Sequence, residues 1–141
     1  MKKINMSAFK ELYGNVELKD VIQWLVKRAN ENGKKSNLQN LDFEGINLSN
    51  VNFFNSDLSG STMIKCDLSN AILDGVLFEK GSIFMCKAEN LSFKNSFLEG
   101  ADFSFSELKR ADFTGSKGKN VYFYNAKIEN VKFGDSLKIF K

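Results

Sequence analysis

The residues able to do chemistry in this chain are few, and they come in spaced pairs. Glu79 and Glu99 lie twenty positions apart, as do Cys66 and Cys86. Two carboxylates held about 5 Å apart are the arrangement of a retaining glycosidase, one acting as nucleophile and the other as acid. Two neighbouring thiols raise disulfide and metal chemistry instead. The chain has no histidine. That removes the commonest general base and metal ligand, and leaves no Ser–His or Cys–His nucleophile pair. No glycine stands in a phosphate-binding loop between a strand and a helix.

What the pairs mean depends on the elements that carry them. Positions 38, 43, 48 and onward to 133 hold Leu or Phe at 15 of 20 sites, with Met63, Ile83 and Ile128 at three more and only Ala88 and Gly118 departing. Two residues before each centre, 17 of 20 sites are Ser, Ala, Gly, Cys or Val; two residues after it, 14 of 20 are Asn or Gly. Leu and Phe make up roughly one residue in five, so chance would give about four such centres. A helix wants spacings of three and four, and a half-buried strand wants two. A five-residue unit with one large and one small inward residue makes a short extended segment and then a corner, and four such units close a square coil. Asn and Gly suit the corner because they tolerate positive φ. Coils of twenty residues then stack in parallel at about 4.8 Å. Proline would remove a ladder donor, and the chain has none.

On this frame both pairs lose their chemistry. Cys66 and Cys86 fall in one inward column and read as two small buried thiols; zinc needs four ligands, and no others converge. Glu79 and Glu99 stack on a convex exposed face with no cleft to desolvate or orient a sugar. The expectation is a protein with no catalytic residues, no cofactor and no metal.

Residues 1–35 are the non-repetitive piece, with a helix expected at about 16–31. Leu18, Val21, Ile22, Leu25 and Ala29 follow helical spacing, and Trp24 and Val26 broaden the stripe. Asn15 is the expected N-cap, with Gly14 breaking any earlier turn around Phe9 to Tyr13, and Gly33 is the expected C-cap. This basic helix is read as a cap on the first coil, ahead of a nucleic-acid or membrane surface, because a stacked solenoid needs its end covered. With 141 residues, 43% apolar content and a net charge of +3, the chain fits one compact domain. It has no apolar run near the length of a membrane span, and Met1-Lys2-Lys3-Ile4-Asn5 does not open a secretory pattern. Two cysteines do not make a disulfide framework, so the expected location is cytoplasmic.

The units Ser56-Asp57-Leu58-Ser59-Gly60, Cys66-Asp67-Leu68-Ser69-Asn70, Ala101-Asp102-Phe103-Ser104-Phe105 and Ala111-Asp112-Phe113-Thr114-Gly115 resemble the repeat of the pentapeptide-repeat proteins, approximately Ala-(Asp/Asn)-Leu-X-X. The resemblance covers residues 36–135. It implies an all-β solenoid, a right-handed quadrilateral parallel β-helix of about five coils over 36–141, and Leu18 to Asn32 looks like the short helix that precedes the repeats in many members. Gly118 and Lys138 depart from the pattern, which points to a distorted corner at 115–119.

Columns twenty residues apart separate the surface into unlike faces. Asp67, Lys87, Glu107 and Lys127 alternate in sign, as do Glu89, Lys109 and Glu129, and Asn50, Asn70, Asn90 and Asn130 form a ladder interrupted by Arg110. Exposed pairs of this kind are each worth under about 1 kcal/mol and read as structural. A different face carries Ile64, Phe84 and Tyr124 in one outward column, Met85 and Phe105 in the next, and Tyr122 nearby. Outward aromatics in a solenoid call for something to cover them: the N-terminal helix, a second copy, or another protein. These six residues are the candidate partner site. A smaller set, Phe54, Ile72, Leu77 and Phe97, is the alternative seat for the helix. The uncapped last coil is a second place where two copies could meet, unless Leu137, Ile139 and Phe140 fold over it.

The family resemblance also implies a specific alternative, mimicry of duplex DNA to bind a type II topoisomerase such as gyrase and alter its quinolone sensitivity. That needs a strongly negative rod. Residues 36–141 carry 12 Lys plus Arg against 13 Asp plus Glu, while residues 1–35 carry 8 against 4. Direct nucleic-acid binding is also disfavoured, because the basic residues concentrate near the helix and make no stripe along the repeats. The expected partner is a protein.

Overall fold

The computed structural model describes residues 2, 3, 7, 11, 12 and 14–141. The turn expected around Phe9 to Tyr13 lies, apart from residues 11 and 12, outside the described residues.

The period of five becomes a ladder with a period of twenty. Parallel bridges join Asn37 to Asp57, Asn47 to Asp67, Asn52 to Ile72 and onward to Asp112 and Lys132, each twenty residues from its partner. Four inward centres fall in each repeat, so the outward side chains sort into four faces. On one of them the extended segments are long enough to form strands: β2 (Leu41–Glu44), β3 (Thr62–Ile64) and β4 (Ser82–Phe84) lie in parallel, and β1 (Lys2–Lys3) adds outside β2.

Three local devices make each unit. Inside, the centre residues are buried, and their rings stack by column: Phe93 on Phe113 at 5.6 Å between centroids, and Phe103 on Phe123 at 5.1 Å. Just before the centre, Asn or Asp turns its carboxyl or amide oxygen onto the amide two residues ahead, as Asp57 does for Ser59 at 3.0 Å and Asp112 for Thr114 at 2.9 Å. This local bond shapes the corner. At the corner, every residue two after a centre from 40 through 130 has positive φ. Asn and Gly take that conformation cheaply; Lys65, Lys80, Met85, Phe105 and Arg110 take it at a cost.

The ladder slips near its end. In β5 (Lys117–Tyr122) and β6 (Ser136–Phe140) the pairing offset falls from nineteen residues at Lys117 and Ser136 to eighteen at Tyr122 and Phe140, with the irregularity between Gly118 and Val121. A Cβ on Gly118 would stand 2.7 Å from the Leu98 carbonyl carbon, so the backbone itself occupies the space a core side chain takes elsewhere. The tail folds over the last repeat, with Leu137 and Ile139 packed against the core.

The helix α1 runs Leu18–Glu31, starting two residues later than expected, and Glu17 rather than Asn15 stands at its N-cap, with no side-chain cap bond. Its C-terminus is closed by Gly33 at φ 64°, with the Gly33 amide donating to the Asn30 carbonyl at 3.0 Å and the Lys34 amide to the Ala29 carbonyl at 2.9 Å. Its buried stripe is Leu18, Ile22 and Val26; Trp24 and Leu25 face outward, against expectation, at 57% and 39% exposure. The docking contacts explain the rotation. Gln23 both donates to the Asn52 carbonyl at 2.6 Å and accepts from the Asn52 amide at 2.9 Å, while Asn30 donates to the Phe54 carbonyl at 3.1 Å. These bonds fix which side of the helix meets the coil.

Candidate protein-binding face

The six candidate residues lie on the face of β2 to β4 and its following corner. Ile64 and Phe84 are register partners in β3 and β4, which places them one above the other, half-buried. Met85 and Phe105 occupy the corner column beside them, 49% and 47% exposed, at φ 55° and 60°. The Phe84 and Phe105 rings meet edge to face at 5.3 Å. Farther along, Tyr122 and Tyr124 approach at 5.8 Å, and Tyr124 is exposed. The structure therefore joins the six residues into one outward patch, running in pairs along the coil axis.

Two further residues belong to it. Ser104 stands between Phe84 and Tyr124 in their column, yet it is only 4% exposed. Phe140 stacks on Tyr122 at 5.3 Å because the eighteen-residue offset of β6 carries it there. A strict twenty-residue column would have set Phe140 above Asn120, so the repeat itself gave no signal for this contact.

The described part of the helix does not cover this patch, since α1 docks on Asn52 and Phe54. The smaller apolar set is not covered by it either: the helix bonds the Phe54 carbonyl, yet Phe54 is 49% exposed, and Ile72 and Phe97 are exposed as well.

The charged face behaves as a register-keeping surface. Lys127 and Glu107 pair at 2.8 Å, Arg110 and Glu89 at 3.0 Å, and Lys109 and Glu129 at 3.4 Å. Asn90 donates to Asn70 at 3.1 Å, and Arg110 continues that ladder by donating to Asn90 at 2.9 Å. The hydrogen bond from Lys127 and its charge hold the Glu107 carboxyl below its ordinary range. Glu79 and Glu99 are both exposed, and the Glu99 carboxylate accepts the Lys119 amide at 2.8 Å. Cys66 and Cys86 are buried, unbridged thiols. Among the described residues, no three metal-ligating side chains come together, and no helix is long and apolar enough to cross a membrane.

The pentapeptide repeat family model matches residues 36–75 and 89–135 in eight copies. This chain belongs to the pentapeptide repeat family. The family folds as right-handed quadrilateral β-helices, and the four inward centres and twenty-residue parallel ladder of this chain fit that form. Among solved structures, the chain is similar to the pentapeptide repeat protein Rfr23 from the cyanobacterium Cyanothece 51142, at 15% identity over 82% of this chain and 97% of that one, with a TM-score of 0.40. It is similar to a pentapeptide repeat protein from the Arabidopsis thaliana thylakoid lumen at 18% identity, over 66% of this chain and 60% of that one, TM-score 0.40. A form of QnrB1, a plasmid-mediated fluoroquinolone resistance protein, matches at 13% identity over 74% and 83% of the two chains, TM-score 0.34. No curated protein matches the chain significantly.

Proposed function

We propose that this pentapeptide repeat protein is a non-enzymatic, cytoplasmic binding module, and that the patch formed by Ile64, Phe84, Met85, Phe105, Tyr122 and Tyr124 receives a protein partner. In this reading residues 1–35 cap about five coils formed by 36–141, and the two parts make one rigid unit. The observation that carries the reading is the pair Met85 and Phe105, exposed and at positive φ. The other non-Asn, non-Gly corners are Lys65, Lys80 and Arg110, long cations that water solvates well. Neither apolar side chain has a backbone reason to stand at a corner, and the ring contact of Phe105 with Phe84 lies on the outward face; residues held against local preference are typical of functional surfaces. Pairs of exposed rings with one end of the patch polar at Tyr122 and Tyr124 suit a protein surface.

Mimicry of DNA is the weaker reading. A rod with 12 basic and 13 acidic residues over 36–141 lacks the field that would imitate phosphate. No inhibition of gyrase supercoiling and no change in its quinolone sensitivity at micromolar protein is the expected result; a clear effect would restore it.

The direct test is the double variant Met85→Asn, Phe105→Asn, which installs the ordinary corner residue and keeps the fold. Affinity capture from lysate and light scattering should both be run against wild type. Loss of a captured protein, or of self-association, supports the reading. Identical captured sets and identical mass would sink it.

A further inference from the structure

We propose that Cys66 and Cys86 form a peroxide-responsive dithiol, in which Cys66 is oxidised first and Cys86 then closes a disulfide between successive coils. The register brings them level, since the adjacent residues Asp67 and Lys87 are bridge partners. Neighbouring parallel strands lie about 4.8 Å apart, within the span of about 4.4 to 6.8 Å that disulfide-linked Cα atoms occupy. The Cys86 sulfur faces Cys66, while the Cys66 sulfur lies against the carbonyls of the preceding coil and of Ile64. Cys86 Sγ accepts the Cys66 amide at 3.3 Å and lies 3.1 Å from the Met63 carbonyl, while Cys66 Sγ lies 3.5 Å from the carbonyls of Phe43 and Ile64.

Packing alone does not ask for two thiols here. One coil above, the same column holds Ser106, whose Oγ accepts the Cys86 amide at 3.1 Å, the same bond that Cys86 offers to Cys66. A hydroxyl serves the column as well as a thiol does.

Both thiols are buried, at 2% and 1% exposure, and what distinguishes them is a surface hollow. Cys66 backs a surface hollow bounded by Gly45, Lys65, Asp67, Met85 and Lys87, and Cys86 does not line it. A Cβ at Gly45 would meet nothing within 4 Å, so the rim is open on that side. The hydrogen bond from the Cys86 thiol holds Cys66 below the ordinary thiol value against the effect of burial, and the same bond, followed by burial, pushes Cys86 up.

The chemistry balances with hydrogen peroxide as the oxidant. The Cys66 thiolate attacks one peroxide oxygen, the O–O bond breaks, and hydroxide leaves to become water, giving a sulfenic acid at Cys66. Cys86 attacks that sulfur, the S–O bond breaks, and the departing hydroxide takes the Cys86 proton as a second water. Two thiols are oxidised to one disulfide while one peroxide is reduced to two waters.

The experiment treats the full chain with hydrogen peroxide as wild type, Cys66→Ser and Cys86→Ser. Serine is the native residue higher in the column, so Cys86→Ser retains the bond from the Cys66 amide. Wild type is expected to lose both titratable thiols and two hydrogens in mass, with a single intramolecular 66–86 crosslink in the peptide map. Cys86→Ser should give a dimedone-trappable sulfenic acid at Cys66, and Cys66→Ser should keep its remaining thiol reduced. Thiols that survive in the folded chain, at a dose that oxidises them after unfolding in guanidinium, would overturn the proposal. So would wild-type products that are sulfinate or intermolecular dimers without the crosslink, or a Cys86 that reacts as fast in Cys66→Ser as in wild type.

Discussion

Phe84 and Phe105 sit in successive coils, yet their rings meet edge to face at 5.3 Å, and Phe105 reaches that contact from a backbone at φ 60°. The left-handed region costs an ordinary residue about 1 kcal/mol or more, while an edge-to-face pair returns about 0.5 to 1.5 kcal/mol. The contact and the strain nearly cancel at Phe105. Met85, at φ 55°, is 49% exposed, so little burial offsets its strain.

Met85→Asn should therefore raise the unfolding free energy by about 1 kcal/mol, and Phe105→Asn should leave it nearly unchanged. Urea unfolding of the two single variants measures this directly. A Met85→Asn midpoint below wild type would show that the side chain packs more tightly on the rod than its 49% exposure implies.

A second contrast lies inside the rod. Ser96 Oγ accepts the Val76 amide at 3.3 Å and donates to the Leu73 carbonyl at 2.7 Å, whereas the buried Ser56 Oγ has no partner. A buried polar group without a partner costs about 1 to 3 kcal/mol. Ser56→Ala is expected to stabilise the protein by about 1 kcal/mol and Ser96→Ala to destabilise it by a similar amount. Ala71, Ala101 and Ala111 already occupy equivalent sites, so the methyl fits. Equal effects of the two substitutions on the urea midpoint would contradict the assignment.

These contrasts mark how far the sequence could be read. The inward columns were legible because each unit repeats its own reason: Phe93 and Phe113 stack because a ring returns after twenty residues. The outward columns of the six candidate residues were legible for the same reason, since column membership follows from counting. The burial of Ser104 was not, because neither its type nor its outward column marks it as buried. The contact of Phe140 with Tyr122 was not, because the slip between Gly118 and Val121 breaks the count. In α1, Leu25 and Val26 both extend a helical stripe, and only the Gln23 bonds to Asn52 decide that Val26 is the buried one.

The tail yields a third prediction. β6 supplies the last backbone partners, including the Phe140 carbonyl that accepts the Phe123 amide at 2.7 Å, and Leu137 and Ile139 shield the end of the core. Deleting 136–141 should lower stability, expose Phe123 and Phe133, and leave an open parallel edge that pairs with other chains. Dye binding and light scattering should both rise with protein concentration. A monomeric truncated chain with an unchanged urea midpoint would show that the tail is dispensable.

The last prediction concerns pH. With no histidine in the chain, nothing ordinary titrates between about pH 5 and pH 7, so stability should be flat there. Below that range three carboxyls matter. The Ser69 amide, with the Ser69 hydroxyl and Lys87, holds Asp67 below its ordinary value against burial. Glu107 is lowered by the bond from Lys127, and at Asp112 burial pushes upward but is outweighed by Thr114 and the charges of Lys94 and Lys132. A group with a depressed folded value binds its proton more readily when unfolded. Its stabilisation is therefore present above the ordinary carboxylate range, about pH 4, and is lost as pH falls through the folded values. Lys127 runs the other way: Glu107 raises it, so its contribution is full below the ordinary lysine value of about 10.4 and fades as pH rises through the folded one. Asp67→Asn keeps an oxygen for the Ser69 amide and removes the titration, so urea unfolding across the acid limb should show a shallower slope than wild type. An unchanged slope would mean that the Asp67 charge does not contribute to folding, and that the local turn alone keeps an acidic or amide residue at this position.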